Sequence, residues 1–228
     1  MNLPVGDGQG FLLRRDKEMR FAPLLLLWWP VYFALYALTE RWIPPEVCMP
    51  VHIFLDDWIP FCEWFVIPYV FWYLLIVLSL GYFLRHNIRS FCCLQWYFAI
   101  VQLLSTVIYI LLPTRQDLRP GVFPRENFLT QCVGVLYALD TNTGVCPSLH
   151  VACSLGIASV WTKEKGISFL QKGLVVISVV LICLSTMFIK QHSAADFFGA
   201  LPVCLVAEGF LYRRRYFRGA GKGQKAAS

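Results

Sequence analysis

The stretch GLVVISVVLICLSTMFIKQHSAADFFGALPVCLVAEGFLY, residues 173–212, contains two apolar runs that only a few polar residues separate. Each run has about the length of the roughly 20 apolar residues that cross a bilayer as a helix. The tripeptide KQH between the runs leaves room only for a tight turn, so the pair predicts a helical hairpin. A histidine, His192, lies in that turn, and Asp196 follows four residues later.

Apolar blocks of similar length recur along the whole chain. Its 228 residues are 57% hydrophobic and only 15% charged, whereas a soluble domain is about 45–50% apolar and about 25% charged. The composition predicts an all-α polytopic membrane protein with a six-helix transmembrane bundle. The predicted spans are residues 21–38, 64–83, 94–112, 149–161, 170–189 and 194–212. Because the fourth span is short, five spans with one buried helix are the alternative.

The distribution of basic residues predicts the orientation. The predicted loops place 15 of the 20 Lys and Arg on the side of both termini, and the positive-inside rule makes that side cytoplasmic. We expect a cytoplasmic arm at residues 1–20, a membrane catalytic domain at 21–212 and a basic cytoplasmic tail at 213–228. Topology and attraction to the inner leaflet explain these basic arms, so the expected partner is the lipid bilayer and not a nucleic acid.

Three polar pieces fall on the predicted outer side. They are PTRQDLRP at 113–120 with Arg115 and Arg119, CPSLH at 146–150 with Ser148 and His150, and KQHSAAD at 190–196 with Lys190, His192 and Asp196. Because all three loops lie on one side, we expect their side chains to meet at a single site there.

These residue types predict phosphoryl transfer. Ser148 stands at the start of a helix, where free backbone N–H groups bind anions, and His150 in the first turn is able to donate a proton. At i and i+4, His192 and Asp196 are expected to share a helix face. The carboxylate would then hold one imidazole nitrogen and leave the other free as a nucleophile or base. Arg119, with Arg115 and Lys190 nearby, supplies positive charge for a phosphate, and this chemistry requires no cofactor.

Two alternatives involve the cysteines. Cys146 with His150, and His192 with Asp196, are i, i+4 pairs of possible metal ligands, although the cations nearby suit an anion better than a metal ion. A disulfide among the four cysteines on the predicted outer side is also open. These four are Cys48, Cys62, Cys132 and Cys146.

The order and spacing of the three motifs resemble the type-2 phosphatidic acid phosphatase superfamily, which also includes the inositol phosphorylceramide and sphingomyelin synthases. The signature of that family is K-x-x-x-x-x-x-R-P, then P-S-G-H, then S-R-x-x-x-x-x-H-x-x-x-D. This chain has RP at 119–120, PSLH at 147–150, and Ser185, His192 and Asp196 at the family's spacing. The resemblance covers roughly residues 94–199.

The resemblance implies a role for each residue. His192 would be the nucleophile that forms a phosphohistidine, Asp196 would orient it, and His150 would be the general acid. Arg119 and Ser148 would hold the nonbridging oxygens. The expected function is a metal-independent lipid phosphoester hydrolase or transferase on the extracytoplasmic face, with hydrolysis favoured. Phospho-head-group transfer to a lipid alcohol and a non-catalytic lipid-binding relative are the alternatives.

The chain departs from the signature at three positions. Leu112 stands where the family has lysine, Thr186 where it has arginine, and Leu149 where it has glycine. Two missing cations favour a phosphodiester donor, which carries one negative charge where a monoester carries close to two. Arg115 and Lys190 are the candidates to replace them, so the charge count leaves both a monoester and a diester substrate open.

Overall fold

The computed structural model describes residues 21–213, and these are mostly helical. A 3-10 segment, Ala22–Leu27, leads directly into helix α1, Trp28–Trp42. The further α-helices of the described residues are α2 (Phe54–Trp58), α3 (Val66–His86), α4 (Ile88–Leu111), α5 (Phe128–Leu139), α6 (Leu149–Lys163), α7 (Phe169–Phe188) and α8 (Ala194–Arg213). The predicted arm at 1–20, and the predicted tail at 213–228 apart from its first residue, lie outside the described residues.

Five helical segments of the described residues are long and apolar enough to cross a membrane, which indicates a membrane protein. They are Ala22–Trp42, Glu63–His86, Ile88–Leu111, Phe169–Phe188 and Ala194–Leu211. The two predicted helices and the short turn between them are confirmed, since α7 ends at Phe188 and α8 begins at Ala194. They do not pack mainly on each other as a hairpin would, because α7 packs on α3 and α6 and α8 packs on α4 and α6. Large apolar side chains such as Val77 and Leu205 stay exposed on the outer faces of these helices, as expected of surfaces that meet lipid.

The fourth predicted span is the buried helix α6. It has 15 residues, so it is only about 22 Å long, whereas the hydrocarbon core of a bilayer is about 30 Å thick. α6 packs against α3, α4, α7 and α8. Its approach to α4 is close because Gly156 has no side chain, and a Cβ there would overlap the Tyr97 ring. Protein therefore surrounds most of this helix.

Polar side chains at the helix starts fix where several helices begin. Ser148 caps α6 by accepting the Val151 N–H, and Asn87 caps α4 in the same way. Asn127 and Thr130 form a capping box at the start of α5. Helix α5 was not expected from the sequence, because its 12 residues lie between the third and fourth predicted spans, in what would be one long outer loop.

The loops at one end of the bundle are tied together by a small β-structure. Strand β1, Met49–Pro50, pairs in parallel with β2, Thr114–Arg115, and Arg115 also forms a bridge with Thr143. These contacts join the loops that follow α1, α4 and α5 at the end where α6 and α8 begin. No disulfide joins cysteines within the described residues.

Candidate active site

His192 lies in the turn between α7 and α8, and its ring contacts Asp196. His192 Nδ1 is 3.1 Å from Asp196 Oδ2, and the same oxygen accepts the Ser193 backbone N–H at 3.0 Å. The predicted contact therefore forms, but the prediction of a shared helix face is wrong, since α8 begins only at Ala194. Asp196 is fully buried and His192 is 8% exposed, so protein surrounds most of the pair.

A second acid, Asp56 of α2, holds the start of α8. Its carboxylate accepts the Ser193 hydroxyl at 2.6 Å, the Ala194 N–H at 2.7 Å and the Ile53 N–H at 2.9 Å. An acidic group is favourable at a helix N-terminus, where the backbone N–H groups are free. Asp56 thus fixes where α8 begins, and with it the turn that carries His192.

His150 faces His192 from the first turn of α6. The two ring centroids are 5.8 Å apart, and the His150 ring packs on Tyr69 at 4.3 Å and on Trp72 at 4.1 Å. His150 is 8% exposed, and its buried Nε2 makes no hydrogen bond to any described residue. Because a buried polar atom without a partner costs free energy, this nitrogen points to a group that binds there.

The main chain joins the two histidine motifs directly. The Ser148 N–H donates to the Asp196 carbonyl at 3.1 Å. Ser148 is fully buried, and its hydroxyl caps α6 at 3.5 Å from the Val151 nitrogen. The starts of α6 and α8 are therefore fixed relative to each other, and Ser148 lies between them.

Arg119 reaches the site through the neighbour of His192. Its guanidinium donates to Gln191 Oε1 at 2.9 Å and to the carbonyls of Tyr137, Asp140 and Thr141. Two of these carbonyls belong to the C-terminal end of α5, where a cation is favourable. Burial lowers the pKa of this guanidinium from its ordinary value, and its Nε is buried without a described partner.

The other two predicted phosphate-binding cations point elsewhere. Lys190 Nζ donates to the carbonyls of Asp56 and Ile59 at 2.9 and 2.5 Å, and burial lowers the pKa of this ammonium. The Arg115 guanidinium donates to the Pro45 carbonyl and pairs with Asp117. Neither side chain lines the cavity that contains the histidines. Arg119 and Ser148 contact Gln191 and the Asp196 carbonyl, next to the histidines, but they do not line this cavity either. Arg115 and Lys190 instead contact the loop after α1.

A cavity of about 600 Å³ opens in front of the two histidines. Its volume is typical of sites that bind small molecules, which range over about 300–1,000 Å³. Its polar end is lined by residues that include Asp140, Thr141, Thr143, His150 and His192. The rest of the lining is aliphatic and aromatic, so the site suits a ligand with one polar and one apolar end.

Five residues of this site were not expected from the sequence. Asp56, Gln191, Tyr69 and Trp72 orient or enclose the histidines, and Asp140 lines the cavity. The one usable signal was the acidic pair at 56–57 in a loop on the same predicted side as the histidines. Among residues 21–213, no group of three or more His, Cys, Asp and Glu side chains is placed to hold a metal ion.

The three polar pieces at 113–120, 146–150 and 190–196 therefore lie next to one another, joined by the hydrogen bonds of Arg119 to Gln191 and of Ser148 to Asp196. The last two pieces supply Leu149, His150, Gln191 and His192 to the lining of the cavity. Neither a protein-family model, nor a curated protein, nor a solved structure matches this chain. Membership of the type-2 phosphatidic acid phosphatase superfamily stays a prediction that rests on the motifs.

Proposed function

We propose that this protein is an integral-membrane enzyme of the type-2 phosphatidic acid phosphatase superfamily that cleaves a lipid phosphoester through a phosphohistidine. The observation that carries the proposal is the His192–Asp196 pair at 3.1 Å, with His150 across the same largely apolar cavity. A nucleophile, a group that orients it and a second proton carrier are the parts that covalent catalysis requires.

The first step forms the covalent intermediate. Asp196 accepts the Nδ1–H of His192, which leaves Nε2 with its lone pair free to attack phosphorus. The bond from phosphorus to the lipid oxygen breaks as the new N–P bond forms. His150 donates its proton to the departing oxygen, so the lipid leaves as a neutral alcohol.

The second step returns the enzyme to its starting state. His150, now without its proton, accepts a proton from water as the water oxygen attacks phosphorus. The N–P bond breaks, inorganic phosphate leaves and His192 Nε2 regains its lone pair. In this proposal Arg119 and Ser148 turn toward the bound phosphate, since neither lines the cavity in the present arrangement. Positive charge and hydrogen-bond donors at the phosphoryl oxygens then lower the free energy of the transition state.

Head-group transfer is the second candidate, and the charges at the site favour it. Arg115 and Lys190 are held by other acceptors, and Asp140 lines the polar end, where its carboxylate accepts the hydroxyls of Tyr36 and Tyr69. A site with so little positive charge suits a phosphodiester better than a doubly charged monoester. In that reaction a lipid hydroxyl takes the place of water in the second step.

The proposed topology has six crossings with both termini in the cytoplasm. The five long helices supply five crossings, and α6 supplies the sixth within the protein. The excess of Lys and Arg on the side of the termini supports this orientation. The site then faces the extracytoplasmic side at the depth of the lipid headgroups.

The test is a product assay with purified protein in detergent. One arm receives phosphatidic acid, and another receives phosphatidylinositol together with a ceramide; free phosphate and new phospholipids are measured in both. Phosphate from phosphatidic acid alone identifies a phosphatase, and a new phospholipid in the second arm identifies a transferase. His192→Ala is the blank, and a correctly folded protein without activity in either arm would make it a non-catalytic relative.

A chelator arm addresses the metal alternative. Since the proposed steps use only side chains, the activity should survive EDTA. Loss of activity in EDTA that zinc restores would favour the metal site instead.

A further inference from the structure

The cavity in front of the histidines continues as a groove along one face of α3. Seven residues of α3 line it, at spacings that repeat every three to four positions: Trp72, Tyr73, Ile76, Val77, Leu80, Gly81 and Leu84. From residue 72 to residue 84 the helix rises by about 18 Å. The groove therefore extends deep into the bundle from the polar end.

The opposite wall is the first helical segment. Leu26, Trp29 and Phe33 line it. Both α1 and α3 pack against α4, and the groove lies between them. Phe91, near the start of α4, lines the end that is far from the histidines.

The rim of the groove lies on the surface that faces lipid. Phe33 is 57% exposed and Val77 is 66% exposed, and both belong to segments of membrane-spanning length. An apolar chain is therefore able to enter sideways from the bilayer, without passing through water. At the polar end the same cavity reaches His150 and His192, so the groove is continuous with the candidate active site.

We propose that this groove binds one hydrocarbon chain of the membrane lipid whose phosphoester is cleaved; the inference rests on the function proposed above. One leaflet contributes about half of the 30 Å hydrocarbon thickness, or about 15 Å, and the groove spans about 18 Å. A full-length chain of a bilayer lipid thus reaches from the histidines to the end near Leu84 and Phe91. A hydrocarbon chain gains little free energy when it moves from the bilayer into the groove, because both surroundings are apolar. Which chains bind therefore depends on how well their length and shape fit the groove.

Gly81 is a position where a larger side chain would shorten the groove. A Cβ added there would meet no atom within 4 Å, because the space beside it is the groove itself. A large side chain at 81, about 13 Å along the helix from Trp72, would fill the inner end and leave the histidines untouched. Gly209 of α8 offers a matched control, since it is also exposed, has no atom within 4 Å of an added Cβ and does not line the groove.

The first experiment compares chain lengths. Wild type, Gly81→Trp and Gly209→Trp are assayed on dioleoyl and dihexanoyl phosphatidic acid, or on the matching phosphatidylinositols if the enzyme is a transferase. Gly81→Trp should lower the ratio of long-chain to short-chain kcat/KM by about tenfold or more, while Gly209→Trp keeps the wild-type ratio. An unchanged ratio in Gly81→Trp would overturn the proposal and leave the proposed function standing.

The second experiment does not need turnover. His192→Ala is irradiated with a phosphatidic acid that carries a diazirine near the end of one acyl chain, and the labelled peptides are identified. Labels on the inner ends of α3 and α4, lost in the Gly81→Trp background, support the groove even if the protein cleaves no lipid. Labels elsewhere, or cross-links that show a second copy of the chain seated between α1 and α3, would overturn it.

Discussion

The carboxylate of Asp56 accepts a 2.6 Å hydrogen bond from the hydroxyl of Ser193, which is 137 residues away in sequence and next to His192. The contact places the loop after the first helix beneath the turn that carries the proposed nucleophile. Lys190, at the other side of that turn, donates to the backbone of the same loop. The turn is therefore held at both ends by one short segment.

Replacing Asp56 should slow the chemical step. Asp56→Ala leaves three donors without their acceptor, each a hydrogen bond to a charged group that contributes about 1.5–3 kcal/mol. We expect kcat to fall between about tenfold and about a hundredfold as His192 shifts, with KM changed much less. Asp56→Asn should lie between the wild type and Asp56→Ala, because the amide keeps one acceptor oxygen.

The neighbouring acid provides the control. Asp57 is exposed and pairs only with His52 among the described residues, so Asp57→Asn should retain wild-type kcat and KM. Steady-state kinetics on all three variants, with thermal unfolding measured alongside, checks the claim. If Asp56→Ala lowered stability but left kcat intact, Asp56 would have a structural role alone.

His150 should matter most for substrates with a poor leaving group. As the proposed general acid, it contributes to a step that proton transfer typically accelerates by about 10²–10⁴. His150→Ala should therefore lose activity on a lipid phosphate, and lose much less in the release of p-nitrophenol from p-nitrophenyl phosphate. Equal losses on both substrates in burst-phase kinetics would show that His150 is not the proton donor.

Gly156 should be essential for the packing of α6 on α4. In Gly156→Ala the new methyl group would overlap the buried Tyr97 ring, and overpacking of this kind costs about 1–3 kcal/mol. The melting temperature in detergent should fall. Gly173→Ala in α7, where nothing lies within 4 Å of an added Cβ, should leave it unchanged or raise it, since alanine favours helix over glycine.

Cys146 should make stability depend on pH in the alkaline range. Burial, with the nearby Asp196 carboxylate, raises the pKa of this thiol from 9.0 to about 12. Between these values the folded protein holds a proton that the unfolded chain has lost, so stability falls as the pH rises above 9.0. Below pH 9.0 the thiol keeps its proton in both the folded and the unfolded state, so it does not make stability depend on pH.

Thermal unfolding of wild type and Cys146→Ala across that range checks the prediction. The other thiols titrate in both proteins, so the difference between the two curves isolates Cys146. The wild type should lose more stability than the variant as the pH rises; parallel curves would contradict the assignment.

Residues close together in sequence allowed the most reliable predictions. The two helices and the turn between them followed from two apolar runs and a three-residue gap, and the contact of His192 with Asp196 followed from their spacing. That contact formed although His192 precedes the helix, because the Asp196 side chain folds back onto the turn. A separation of four residues keeps two such side chains close even when one of them precedes the helix.

The sequence did not predict the contacts between residues that lie far apart in the chain. Arg115 and Lys190 were grouped with Arg119 because all three carry positive charge on the same predicted side. Their final partners are backbone carbonyls of the loop after α1, and loop conformation rather than composition decides those contacts. Asp56 was missed for the same reason, since nothing local to it indicates the start of a helix far along the chain.

The most direct test of the central claim is the detection of a phosphoryl group on His192. Purified protein is mixed with phosphatidic acid that carries a radiolabelled phosphorus, or with a diester donor labelled in the same way, and quenched in alkaline detergent. Peptide mapping should find an acid-labile label on His192 in the wild type and none in His192→Ala. Product formation by the wild type with no label on His192, or with the label on another residue, would contradict the account.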